Sequence, residues 1–259
     1  MRGRGPRFSQ ARAPIHAWVS VLATRLALLA GGLAAGGALA QTGAAITAAR
    51  YDDPTTRYAH GVLGDAIEHG TLVLTLSDGR SRRIVLPESR VFEDTAPRLA
   101  DLDGDGAPEV IVVESDARRG ARLAVHGPEG LIAATPYIGT RNRWLAPVGA
   151  ADLDGDGRVE IAYVDRPHLA RILRVWRYEA GGLTEVAQMQ GISNHRIGED
   201  FITGGIRSCA GAPEMVVPRA DWQRLLSLRL TPKGELLETD IGPFEGAAAT
   251  EAALRCAGG

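Results

Sequence analysis

The sequence predicts an all-β fold, a small β-propeller or propeller-like array of roughly four to five repeat units. Three observations support this prediction. An acidic stretch occurs twice, at residues 101–109 and 152–160, and a run of β-branched or aromatic residues follows each copy. The glutamates that end these stretches, and a counterpart at Glu214, are spaced 51 and 54 residues apart. The 259 residues include 32 glycines, which is typical of a loop-rich β fold.

The repeat length also bears on how the units pack. Each unit exposes an apolar face that only its neighbour covers, so such units stack. An immunoglobulin-like sandwich is less favoured, because it imposes no internal repeat of this length. A partial propeller, or a bent stack of sheets closed by the C-terminal tail, is the alternative architecture.

Residues 1–40 are predicted to be a cleaved signal peptide. They contain five arginines and no acidic residue, and an apolar stretch over residues 26–39 ends in Ala-Leu-Ala. A basic segment, a short apolar segment and an Ala-x-Ala site are typical of a secretory leader. The apolar stretch is shorter than the roughly 20 residues that span a bilayer, so we expect no membrane insertion after cleavage. The mature protein is predicted to be periplasmic or secreted, by bacterial export.

The charge of the remaining chain excludes one class of partner. Beyond the leader, 24 basic and 31 acidic side chains give a net charge of −7. Nucleic-acid binding depends on clusters of lysine and arginine that contact phosphates. We therefore expect no nucleic-acid partner.

Residues 41–57 are small and polar and are predicted to form an irregular lead-in. The rest of the chain is predicted to be one repeat domain, 58–259, with units near 58–97, 98–148, 149–200 and 201–259. The first unit contains a hairpin with an Asp-Gly turn at residues 77–80. The predicted strands are 71–76, 82–86, 109–114, 122–126, 131–134, 160–164, 172–178, 183–187, 214–217, 225–230 and 236–239.

Each acidic stretch places three aspartates at alternate positions, with glycines between them. Carboxylates so close together repel one another unless a cation neutralises them, and hard oxygen ligands in this number favour Ca²⁺. The glycines allow the sharp turns that direct the side chains inward. An acidic surface turn without metal is the alternative, since Asp and Gly are common turn residues. Two copies, each ending in glutamate before a β run, favour the metal.

An EF-hand loop carries a bidentate glutamate at position 12 and is flanked by helices. Position 12 is Val112 in the first copy and Tyr163 in the second. Neither side chain carries a carboxylate, and the following residues favour strands. The loops are therefore predicted to be of another kind.

The spacing Asp-x-Asp-Gly-Asp-Gly-x-x-Glu before a strand resembles the FG-GAP/VCBS repeat family, the calcium-loop repeats of integrin-α-like β-propellers. That resemblance implies ligation by the side chains at positions 1, 3, 5 and 9 and by the backbone carbonyl at position 7. It implies two Ca²⁺ sites. The implied ligands are Asp101, Asp103, Asp105, Glu109 and the Ala107 carbonyl in the first, and Asp152, Asp154, Asp156, Glu160 and the Arg158 carbonyl in the second.

A degenerate third copy lies at residues 211–217, which match residues 106–112. Its ligand positions are Ile206, Ser208 and Ala210, so no metal is predicted there. Cys209 falls inside this loop. In an oxidising compartment the two cysteines, Cys209 and Cys256, predict a disulfide that takes over the role of the cation, with two buried thiols as the alternative.

No catalytic residue is predicted. The histidines occur singly, without metal-ligand spacing, which favours surface or capping positions, and no nucleophile elbow or phosphate-binding loop is present. The histidines concerned are His60, His69, His126, His168 and His195. For Trp144, Trp176 and Trp222, buried packing is favoured over a sugar-stacking surface.

The predicted function is that of an exported, non-enzymatic calcium-binding repeat protein. Calcium is mainly structural, and the propeller surface binds a protein or glycan. The alternative is a carbohydrate-active enzyme, a lyase or hydrolase, which a convergence of non-ligand acids, Arg, His or Tyr side chains at the central channel would favour. A third possibility is an accessory subunit whose propeller is completed by another chain.

Overall fold

The computed structural model describes residues 43–209 and 211–256; the predicted signal peptide lies outside the described residues. Sixteen strands form three antiparallel sheets in this part of the chain, and one short helix follows them. The predicted all-β class is confirmed. None of the helical structure described is long and apolar enough to span a bilayer.

The first sheet has eight strands, and its main path runs β1-β2-β4-β6-β7-β8, with β3 paired to β2 and β5 paired to β6. The predicted hairpin over the Asp-Gly turn is the β2–β3 pair, in which Thr75 lies opposite Ser81. The strands are β1 Ile46–Thr55, β2 Glu68–Leu76, β3 Ser81–Val85, β4 Arg90–Phe92, β5 Arg98–Ala100, β6 Glu109–Asp116, β7 Gly120–Gly127 and β8 Gly130–Ala134.

The expected irregular lead-in is instead a ten-residue strand, β1. It pairs antiparallel with β2 from Ile46 opposite Leu76 to Thr55 opposite Glu68. Its small and polar residues carry little strand propensity, and most of them stay partly or fully exposed. Backbone hydrogen bonds to β2 therefore determine this strand, and those bonds depend on residues distant in sequence.

The first two predicted units are not separate sheets. Strand β4 pairs with β6, with Arg90 opposite Asp116 and Phe92 opposite Glu114. This short strand joins the hairpin region to the strands that follow the first acidic loop. Three residues are too few to produce a recognisable alternating pattern, so no sequence pattern indicates this strand.

The second and third sheets each consist of four strands in the orders β12-β11-β10-β9 and β13-β14-β15-β16. Neighbours in each sheet are consecutive in the chain and antiparallel. The elements are β9 Leu145–Ala151, β10 Glu160–Asp165, β11 Ile172–Glu179, β12 Gly182–Gln190, β13 Gly205–Arg207, β14 Glu214–Pro218, β15 Arg224–Leu230, β16 Leu236–Pro243 and the helix α1 Ala247–Leu254.

The sheets stack through strands that are apolar on both faces. In β10, Ile161 and Tyr163 belong to the core shared with the first sheet. The alternate residues, Ala162 and Val164, belong to the core shared with the third sheet. Successive side chains of a strand point to opposite faces, so β10 is covered on both sides. Each sheet thus buries an apolar face of the next.

Successive connections alternate between the two ends of the strands, because neighbouring strands are antiparallel. The acidic loops connect β5 to β6 and β9 to β10, and they lie at one end. The connections β8–β9, β10–β11 and β12–β13 lie at the opposite end. The fold therefore presents two separate sets of loops.

The predicted disulfide is confirmed. Cys209, after β13, is bonded to Cys256, after α1, and the two Cα atoms are 5.6 Å apart. Arg207 forms a second contact between β13 and the helix, since its Nη1 donates a hydrogen bond of 2.9 Å to the Ala253 carbonyl. The helix is thereby held against the third sheet.

Replacing both cysteines (Cys209→Ser with Cys256→Ser) should lower the free energy of unfolding by about 2–4 kcal/mol, because the open chain gains conformational entropy in the unfolded state. Urea unfolding of the oxidised protein and the variant measures this difference. Unreduced, denatured wild-type protein should also show no reactive thiol. Equal unfolding midpoints would contradict the structural role of the bond.

Candidate functional site

The first acidic loop is folded by its own carboxylates. Asp101 accepts hydrogen bonds from the backbone N–H of Gly104 at 2.8 Å and of Gly106 at 3.0 Å. The two glycines have φ values of 76° and 88°, in the left-handed region where a Cβ atom is unfavourable. The backbone thus wraps around the first aspartate, as the glycine spacing predicted.

Three carboxylates of this loop converge. Oxygen atoms of Asp101, Asp103 and Glu109 all lie within 4.8 Å of one another. Glu109, the first residue of β6, is only 4% exposed, and it accepts a hydrogen bond of 2.9 Å from the backbone N–H of Leu102. Burial raises the pKa of Glu109, and the negative charges of Asp103 and Asp105 raise it further.

No basic side chain among the described residues lies within 4.0 Å of these carboxylates. Their negative charge is therefore uncompensated by the protein, and the all-oxygen donor set fits a hard divalent cation such as Ca²⁺. The carboxylate of Asp105 falls outside the group of three. Ligation by Asp105 and by the Ala107 carbonyl remains a prediction.

The second loop repeats this backbone. Asp152 accepts hydrogen bonds from the N–H groups of Gly155 and Gly157 at 2.8 and 3.0 Å. Oxygen atoms of Asp152, Asp154 and Glu160 again lie within 4.8 Å of one another. The Asp156 carboxylate is outside this group too, and ligation by the Arg158 carbonyl remains a prediction.

The second loop differs from the first in one respect, a guanidinium group among its carboxylates. Arg177 of β11 donates through Nε to Glu160 at 2.6 Å and through Nη2 to Asp154. Its Nη1 lies 3.3 Å from Asp156. The side chains of Asp154 and Glu160 are 2% and 0% exposed, so these ion pairs are shielded from water. Here the protein supplies its own counter-charge.

Strand register explains the difference. In the second sheet Glu160 lies directly opposite Arg177. In the first sheet Val110 lies opposite His126, which places Gly127 opposite Glu109. A glycine offers no side chain to neutralise the first loop. The two loops are thus alike in sequence, but the adjacent strand makes their electrostatics different.

The Asp156 carboxylate also forms an ion pair with Arg158. The Arg158 guanidinium donates to its carboxylate, and this hydrogen bond is the main cause that lowers the pKa of Asp156 to about 2. In the third copy, Glu214 pairs with Arg207 at 2.6 Å and with the Ser227 hydroxyl. Both later copies therefore carry a basic side chain on their acidic residues, whereas the first loop has none among the described residues.

Comparison with known families bears on this pair of loops. Residues 95–163 match the profile of the FG-GAP-like repeat. The matched segment includes both acidic loops and the sheet strands around them, so the predicted resemblance is confirmed for this part of the chain. No match was found among curated proteins. The FG-GAP-like repeat accounts for the loop spacing, and the match identifies no ion.

Sequence reasoning missed a second group of side chains, at the strand ends opposite the FG-GAP-like loops. The expectation that the histidines lie at surface or capping positions is wrong for His195 of this group, which is 0% exposed. It is also wrong for His126, which is 2% exposed but lies near the first acidic loop, opposite Val110. His195 lies 2.9 Å from His168, and His60 lies 2.5 Å from the buried Glu93. These residues are far apart in sequence, so no spacing pattern signals them.

Buried carboxyl groups accompany these histidines. Glu68 is 2% exposed, and none of the described basic side chains pairs with it. Burial raises its pKa to about 9, with further contributions from the charges of Glu93, Asp65 and Asp94. The native state therefore keeps this carboxyl protonated at neutral pH.

The raised pKa of Glu68 predicts a loss of stability as pH rises from about 5 to 9. In this window the native state binds a proton that the unfolded state has released, so the free energy of unfolding falls with increasing pH. Glu68→Gln should reduce that fall and melt above wild type at pH 8.5, with little difference at pH 5. The matched control is Glu88→Gln, whose side chain is 92% exposed. Parallel melting curves for wild type and Glu68→Gln at all pH values would contradict the shift.

Proposed function

We propose that this protein is an exported, non-enzymatic repeat protein whose stacked, propeller-like sheets are stabilised by Ca²⁺ at the acidic loops and bind a protein or glycan partner. One observation carries the proposal. In the first loop, Asp101, Asp103 and Glu109 gather without a basic side chain from the described residues. The FG-GAP-like repeat match over both loops supports the same conclusion.

Calcium acts in this proposal as a structural staple. Asp101 and Asp103 belong to the loop, whereas Glu109 opens the buried strand β6. A cation held by all three would fix the loop to the sheet and remove their mutual repulsion. Binding to the folded state alone stabilises it by mass action.

Export is supported by the disulfide between Cys209 and Cys256, since such bonds persist mainly in oxidising compartments. A mature chain in the periplasm or outside the cell would also meet the calcium concentrations that weak sites require. Extracellular calcium modules bind the ion with dissociation constants of about 10⁻⁴–10⁻³ M. We expect the first loop to fall in this range.

Calcium should raise the melting temperature of the purified protein. At about 100 times the dissociation constant, one site adds about 2.7 kcal/mol, which corresponds to a rise of roughly 5–10 °C for a domain of this size. Asp103→Asn should remove most of the rise, and the exposed turn variant Asp78→Asn should retain it. Differential scanning fluorimetry with calcium and with chelator measures the effect. A chelator-insensitive wild type would overturn the structural role of calcium.

The two loops should bind calcium with unequal affinity. Arg177 already neutralises the carboxylates of the second loop, so a cation must displace its guanidinium. Arg177→Gln should strengthen calcium binding at the second loop by at least about tenfold, because a charge-assisted contact of about 1.5–3 kcal/mol no longer competes. Arg174→Gln, which alters a neighbouring arginine of β11 paired with Asp165 and Glu185, is the matched control.

Calorimetric titration distinguishes the sites. Wild type should show one stronger and one weaker site, and Arg177→Gln should show two of similar strength. Asp103→Asn identifies which site belongs to the first loop. Two equal sites in wild type, unchanged by Arg177→Gln, would contradict the competition while leaving the calcium proposal intact.

One observation favours the alternative of a carbohydrate-active enzyme. Histidine and arginine side chains do converge, at the end of the sheets opposite the acidic loops. The cavity that they line has a volume of about 160 Å³, below the roughly 300–1,000 Å³ of typical ligand pockets. A sugar chain is too large for it, so the binding function stays the primary proposal.

A further inference from the structure

The histidine-lined cavity lies where connections from different sheets meet. The β1–β2, β8–β9, β10–β11 and β12–β13 connections all contribute to its wall. Its lining combines basic, polar and apolar side chains and contains no carboxylate among the described residues. The polar and aromatic part of the lining includes His60, Asn142, Arg143, Trp144, Arg166 and His168.

Hydrogen bonds define the protonation of the His168–His195 pair. His195 Nε2 lies 2.9 Å from the Glu199 carbonyl oxygen, which only accepts, so Nε2 carries the proton. In neutral His195 the other nitrogen, Nδ1, must then accept, and His168 Nε2 donates to it over 2.9 Å. Neutral His168 therefore has a lone pair on Nδ1.

Both rings are held neutral by their surroundings. Burial lowers the pKa of His168 to about 4, and the neighbouring His195 contributes to the shift. Burial likewise lowers the pKa of His195. Within the described residues His168 Nδ1 has no hydrogen-bond donor, so it is free to accept a hydrogen bond from a ligand.

The opposite wall is anchored by a buried carboxyl. His60 Nδ1 lies 2.5 Å from Glu93 Oε1, and Glu93 is 0% exposed. Trp144 Nε1 donates a hydrogen bond of 2.8 Å to the Glu93 carbonyl. These contacts fix the His60 ring and the indole, so the cavity wall is preformed.

The charge of the lining is positive. Arg166 is neutralised by Asp165, to which it donates two hydrogen bonds of 2.7 and 2.9 Å. Arg143 has no such partner: its Nη1 donates to the Asn142 carbonyl at 2.9 Å, and no carboxylate among the described residues lies within 4.0 Å of it. The guanidinium fork of Arg143 is therefore available for an anion, and its shape matches a carboxylate.

We propose that this cavity binds a small hydroxycarboxylate, whose carboxylate pairs with Arg143 and whose hydroxyl donates a hydrogen bond to His168 Nδ1. The cavity volume of about 160 Å³ is small for a ligand pocket and suits an acid of about three or four carbons. Val62, Leu169 and Ile197 offer apolar contacts for its carbon atoms. The site lies at the strand ends opposite the acidic loops, so it is independent of the calcium proposal.

Isothermal titration of the purified protein with three closely related probes tests the proposal. Lactate carries both groups, propionate lacks the hydroxyl, and lactamide lacks the charge. Lactate should bind with a dissociation constant of the order of 1 mM, propionate about tenfold more weakly, and lactamide not measurably. Inorganic phosphate, tested in parallel, shows whether a small anion binds through the positive charge of the cavity alone.

Variants assign the two contacts. Arg143→Gln should weaken lactate binding at least about tenfold, whereas the matched control Arg141→Gln, an exposed arginine outside the lining, should not. His168→Phe should weaken lactate to the level of propionate and leave propionate unchanged. Melting curves establish that each variant is folded, and Arg143→Lys, which keeps the charge and loses the fork, replaces Arg143→Gln if that variant is unstable.

The titration results distinguish a hydroxycarboxylate site from a general anion site and from no site. A lactate preference that His168→Phe abolishes, together with weaker binding by the Arg143 variants, supports the site. Lactate binding that equals propionate and phosphate in wild type overturns the hydroxycarboxylate assignment. No binding of any probe, or binding unaffected at Arg143, overturns the cavity as an anion site.

Discussion

The two-sided burial of the central strands is the constraint on which the rest of the structure depends. A strand such as β10, with Ile161 on one face and Val164 on the other, is stable only between two sheets. Stacking therefore follows from the strand itself, and each sheet is held in place by its neighbours. Stacking therefore also positions the loops at both strand ends. The acidic loops project from one end, and the connections that form the histidine-lined cavity project from the other.

The same loop position differs in its charge balance in the three copies along the chain. The first loop gathers three carboxylates without a basic side chain from the described residues, and this group could hold a metal ion. In the second, Arg177 reaches from the adjacent strand and neutralises the acids. In the third the ligand aspartates are gone, and Cys209 carries a covalent bond to the C-terminal tail. In the two acidic loops, the residue opposite the terminal glutamate decides whether the protein itself neutralises the carboxylates.

The histidine-lined cavity shows how a repeat scaffold produces a site outside its repeated motif. His60, Arg143 and His168 come from connections of different length and sequence, and none belongs to the acidic pattern. Hydrogen bonds position the imidazoles of His60, His168 and His195, so the cavity is preformed independently of the acidic loops.

The sequence by itself determined the all-β class, eleven of the sixteen strands in the described residues, the acidic loop motif and the disulfide partners. Each of these is encoded locally. Alternation and turn residues indicate the strands, ligand spacing indicates the loops, and the presence of two cysteines indicates the disulfide. Only the tertiary structure decided the rest. Strands β1 and β4 exist because of distant pairing partners, and Arg177 and Gly127 differ in effect because strand register places them opposite Glu160 and Glu109. The histidine-lined cavity is likewise a product of packing, since burial and charge compensation arise only when residues far apart in the chain come into contact.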